Sequence, residues 1–184
     1  MKFHSLFLAL VATSGLFSHF SYAESTQLRA EFHSEILVGT CTAKITHGGT
    51  ETATVDFGDV FKGDIGTRAE AFNVELSGCI GVKTTTVAVQ PGAGNSCSGE
   101  AYNTVGNTNT AVEIWSNAPD TGTKLACKTG ESSVSLSHTF QDRTKDQAYT
   151  YPMVARWVVA NGKMATDVKT GEATSLITFL VTYQ

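Results

Sequence analysis

The sequence predicts an all-β protein built as a β-sandwich. Apolar residues recur at every second position in one short segment after another, and turn signals separate these segments at regular spacing. Long amphipathic helical patterns are absent, and only "GTRAEAF" could hold a helical turn.

The elements follow in chain order. "MKFHSLFLALVATSGLFSHFSYA" has a basic start at Lys2, an apolar run from Leu6 to Phe17, and small residues at Ser21 and Ala23. That is the pattern of a secretory signal peptide cleaved after Ala23, and the run is too short to span a bilayer. Segment 24–38 contains "STQLRAEFHSEILVGT". Here Leu28, Ala30, Phe32, Ser34 and Ile36 alternate with Gln27, Arg29, Glu31, His33 and Glu35. It reads as a two-faced strand where most chains fray, either the first strand of its own sheet or one built to pair elsewhere.

The expected domain, 39–184, opens with "CTAKIT", where Cys41, Ala43 and Ile45 share a face. "TATVDFGDV" follows a "HGGT" turn. "AFNVELSGC" aligns Phe72, Val74 and Leu76, and "TTTVAVQPG" ends in a Pro-Gly turn. "TAVEIWSNAPDTG" turns Val112 and Ile114 inward, and "SSVSLSHTF" alternates Val134 and Leu136. "YTYPMVARWVVANG" is the longest run. Pro152 on its opposite face predicts an edge or a bulge, and Asn161-Gly162 a tight turn. In the final "GEATSLITFLVTYQ", alternate residues from Ala173 through Ile177, Phe179 and Val181 to Tyr183 face one way.

Charge and cysteines narrow the function classes. The formal charge of −4 becomes −5 once Lys2 leaves with the signal, and no basic run is present. Nucleic acid and anionic membrane are therefore poor partners. Cys41, Cys79, Cys97 and Cys127 all follow the signal and form no C-x-x-C motif. They read as two disulfides of an oxidising compartment. Three connectivities are open, and Cys41–Cys79 with Cys97–Cys127 is favoured. Closing the first loop would stabilise by about 3–4 kcal/mol on the chain-entropy model.

Taken together, these residues resemble the pilin subunits of chaperone–usher fimbriae, in particular the minor and major subunits of type 1-like pili. The resemblance rests on the order of its parts. They are a signal peptide, the alternating segment 27–36, a cysteine opening "CTA", and the "ATVDFGDV" segment. A second cysteine closes "FNVELSGC", and "YPMVARWVVANG" stands as the penultimate strand. Gly171 lies twelve positions before the penultimate tyrosine, Tyr183. The resemblance implies an incomplete immunoglobulin-like sandwich of six strands, completed by a donor strand from another subunit.

It implies a groove where Gly171, Ile177, Phe179, Val181 and Tyr183 meet a periplasmic chaperone, which also holds the carboxylate of Gln184. Leu28, Ala30, Phe32, Ser34 and Ile36 would form the donor face offered to a neighbouring subunit at the outer-membrane usher. The expected product is a fimbrium on the cell surface, reached through the periplasm, with an adaptor-type minor pilin as the expected role. No enzyme activity, cofactor, metal or membrane insertion is expected. The chain departs from the family at Ser34, where glycine is common, and in its second cysteine pair, since simpler members carry one disulfide.

Competing motifs are weak. Asp120-Thr121-Gly122 matches the aspartic-protease triplet, but such enzymes need two of these aspartates. His33, His47 and His138 are too few for a dismutase-like metal centre. "PGAGNS" lacks the Gly-Lys-Ser/Thr of a phosphate loop, and Ser96 and Ser98 lack a G-x-S-x-G context. Asp56 and Asp59 alone are too few oxygen ligands for calcium. Trp115 and Trp157 are expected in the core. The alternative function is a freestanding secreted or periplasmic binding module whose segment 24–36 completes its own sandwich.

Overall fold

The computed structural model describes residues 39–128 and 134–184, all within one compact unit; the signal and segment 24–38 lie outside the described residues. Ten strands form: β1 (Thr40–His47), β2 (Thr50–Glu51), β3 (Ala69–Ile80), β4 (Thr84–Pro91), β5 (Cys97–Ser98), β6 (Ala101–Asn103), β7 (Thr110–Ser116), β8 (Leu136–Thr139), β9 (Tyr149–Val159) and β10 (Ile177–Tyr183). Six of them, β1, β3, β4, β7, β9 and β10, have seven or more residues. One sheet runs β2-β1-β3-β9-β7-β6-β5 and the other β10-β4-β8, with every pairing antiparallel.

Alternation decides which residues meet between the sheets. Phe72, Val74 and Leu76 of β3, Val112 and Ile114 of β7, and Met153, Ala155 and Trp157 of β9 are buried against Val87 and Val89 of β4. One buried polar contact crosses the core, between the Thr85 and Tyr151 hydroxyls at 2.9 Å. Disulfides join Cys41 to Cys79 and Cys97 to Cys127, the sequential pairing. The first ties β1 to the end of β3. The second ties β5 to the segment after Lys124.

Several expectations fail for local reasons. "TATVDFGDV" is not a strand beyond β2. Val55, Phe57 and Val60 pack on the core from an irregular loop, with Phe57 edge-on to Trp157 at 5.6 Å. The helical turn falls at Lys62–Asp64, ahead of "GTRAEAF", and Ala69 already begins β3. A second such turn spans Ala165–Asp167. Pro152 sits at neither a sheet edge nor a bulge but within β9, between β3 and β7. Its carbonyl accepts from Asn117 just beyond the end of β7, so the missing N–H falls where that neighbour has run out.

Trp157 is buried as expected. Trp115 is not: it lies half-buried on the outer face, with Lys124 and Arg156 each 5.5 Å from its ring centroid. Val134 is exposed.

Candidate functional site: an open edge between β1 and β10

The last strand carries Ile177, Phe179, Val181 and Tyr183 on one face, and β4 pairs with it residue for residue. Phe179 stands opposite Val89, Val181 opposite Val87, and Tyr183 opposite Thr85. On β4 these inward positions are sealed, at 0–1% exposure. One strand over, Ile177, Phe179 and Val181 are only half-buried and Tyr183 is 38% exposed. The side chains point into the same interior, so the difference lies in what covers them from the side.

The same step appears on the facing sheet. Leu76 of β3 is buried, whereas its partner in register, Ala43 of β1, is exposed. Ala43 is flanked on its face by Cys41 and Ile45, both only partly covered. Phe179 reaches across to Phe72, edge-on at 5.6 Å, and marks the floor of the cleft.

Backbone direction completes the site. Gln184 and Thr84 exchange hydrogen bonds, and the Gly92 N–H donates to the Leu176 carbonyl. In an antiparallel ladder the bonded residues alternate. The even-numbered residues of β10 therefore bond to β4. Ile177, Phe179, Val181 and Tyr183 turn their N–H and C=O groups to the other side, where no strand pairs with them among the described residues. On β1 the far edge is matched by β2 only at Thr46 and His47. An apolar cleft thus runs between two unpaired edges. This is an arrangement that an extended segment can satisfy in both side chains and backbone.

Other predicted residues fall elsewhere. The Gln184 carbonyl oxygen accepts from the Lys83 and Thr84 N–H groups at 2.6 and 3.0 Å. Gly171 has φ +148 and lies near Thr108, ahead of β10 and outside it. The five donor-face positions, Leu28 to Ile36, lie outside the described residues. Asp120 occupies a left-handed turn position, φ 65, and binds Arg156 at 2.7 and 2.9 Å. Sequence reasoning missed the share taken by Ala43. Its small side chain gave no sign that the inner face of β1 is left bare.

No family model matches the chain. It is similar to the fimbrial-like protein YadL of Escherichia coli strain K12, 29% identical over 197 residues that cover 98% of this chain and 96% of that protein. Its fold matches that of the P pilus rod subunit PapA with a TM-score of 0.51 and 19% identity, covering 72% of this chain and 93% of that one. The chain thus resembles a fimbrial-like protein in sequence and a pilus rod subunit in fold.

Proposed function

We propose that this chain, similar to a fimbrial-like protein along its length and folded like a pilus subunit, is a structural subunit of a chaperone–usher fimbria that polymerises by donor-strand exchange. The observation that carries the reading is the step in burial at the β1 and β10 edges, beside backbone groups with no ladder partner among the described residues. The chaperone's strand fills the cleft in the periplasm, and at the usher a neighbour's extension replaces it. This chain in turn offers Leu28, Ala30, Phe32, Ser34 and Ile36 to another subunit. Carrying both an extension and a cleft suits an internal, adaptor-type position.

Four or five side chains entering the cleft, at roughly 1.5–3 kcal/mol each, would stabilise a junction by about 6–15 kcal/mol. The small Ala30 and Ser34 favour the lower half of that range. The role is structural rather than catalytic, and its place is the cell surface, reached through the periplasm.

The test is deletion of residues 24–36. The truncated subunit should still form its chaperone complex but no longer join a neighbour as donor, while Phe179→Asp should abolish capture by the chaperone. A truncated chain that unfolds even in the chaperone's presence would show that the segment belongs to its own sandwich.

A further inference from the structure

The cleft has two ends. Thr40, Ile80 and Tyr183 mark the upper one, and Ile177 and Pro91 the lower. The chain enters the domain at the upper end, where Gly39 lies so close to Gly81 that a Cβ on Gly39 would collide with its backbone. At the lower end, large apolar side chains stand in the open: Phe61 at 72% exposure, Met164 at 67%, and also Val105 and Leu176. Next in sequence to Phe61 and Met164, Lys62 and Lys163 line an open cleft of about 640 Å³ together with Lys169, with Asp167 as its one acid. None of these three lysines forms an ion pair among the described residues, whereas Lys44, Lys124 and Lys145 all do. An exposed apolar patch beside unpaired cations marks an interaction surface.

We infer that this lower end is a second docking surface, on which the body of the subunit that fills the cleft comes to rest. This rests on the donor-strand reading above. A segment that continues the antiparallel order of the sheet runs against β10, from Tyr183 toward Ile177. Its own domain then follows it out at the lower end. In a donor built like this chain, four residue steps separate Ile36, the last donor-face residue, from Thr40, the first of β1. Fully extended, four steps reach about 14 Å. The donor's body is therefore held against the lower end and cannot swing clear of it. Its upper end arrives first, and in this chain that end shows an exposed Ile80. An apolar contact of this kind would meet Phe61, Leu176 and Met164, and the three lysines would take acidic groups on the donor's body.

The experiment uses assembled fimbriae. A photo-crosslinking amino acid is placed at position 61, at position 164 or, as the cleft control, at position 179. Position 179 should join the neighbour's extension. Positions 61 and 164 should join the neighbour's body, in the segments flanking its first core strand. K163E combined with K169E should speed dissociation of the junction several-fold while leaving unchanged the thermal shift given by an extension peptide, which has no body.

Crosslinks at 179 with none at 61 or 164 would overturn this inference and leave the function standing, as would an unchanged dissociation rate in the double variant. Absence of the crosslink at 179 would overturn the donor-strand reading, and this inference with it.

Discussion

On the flank built by β5, β6 and β7 the interior is closed from the side. Tyr102 is fully buried with its hydroxyl bonded to the Leu125 carbonyl, and Cys97–Cys127 holds the covering segment in place. Outside, Arg156 bridges Glu113 and Asp120, and Lys124 joins Glu113 to Glu100. On the flank between β1 and β10 the same two sheets end with half-covered side chains and unpaired edges among the described residues. Among the described residues, the contrast places the half-covered interior on the β1–β10 flank.

The largest expected effect tests the line between them. Leu76 and Ala43 are register partners, one sealed and one exposed. Leu76→Ala should destabilise the domain by about 2–5 kcal/mol, whereas Ala43→Ser should stay within about 0.5 kcal/mol. Urea unfolding of both variants measures it. Equal losses would mean that the β1 edge is already covered in solution.

A sharper comparison uses two valines that face each other across a ladder, Val87 and Val181. Val87→Ala removes two methyl groups from a sealed site and should cost about 2 kcal/mol. Val181→Ala in the subunit alone should cost under about 1 kcal/mol, because water already reaches that site. With the cleft filled by an extension peptide, the two costs should converge. If they remain apart, the peptide is not lying against β10.

Much of this division was legible in the sequence, and the parts that were not share a cause. Phe72-Val74-Leu76 and Ile177-Phe179-Val181 carry the same alternation, so both strands could be read, along with the face that each turns inward. Their difference in burial depends on what lies to the side, which alternation within a strand does not encode. Trp115 looked like core because its strand is apolar, but it stands on the opposite face to Ile114, where two cations cover it. The β5–β6 hairpin leaves no alternation to read because its strands have only two and three residues, although it buries Tyr102. Pro152 misled because the end of a neighbouring strand is a tertiary fact.

The smallest expected effect concerns the closed flank alone. Burial raises the affinity of Glu113 for a proton, but hydrogen bonds from Lys124, Arg156 and Trp115 outweigh this and hold its carboxyl below the usual range. The hydrogen bonds from Arg156 lower that of the exposed Asp120 as well. A carboxyl whose folded pKa is depressed adds stability that is present above its unfolded value and lost as the pH falls through the folded one. Acid should therefore loosen the turn at 117–124 below the ordinary carboxylate range. The inward face of β10 carries no acid and should not contribute to that loss. Arg156→Gln removes the group that bridges Glu113 to Asp120, so its melting temperature should fall less steeply than the wild type's between neutral pH and about 3. Parallel slopes for the two proteins would show that the network adds nothing to the closed flank, and that the disulfide and the buried Tyr102 close it by themselves.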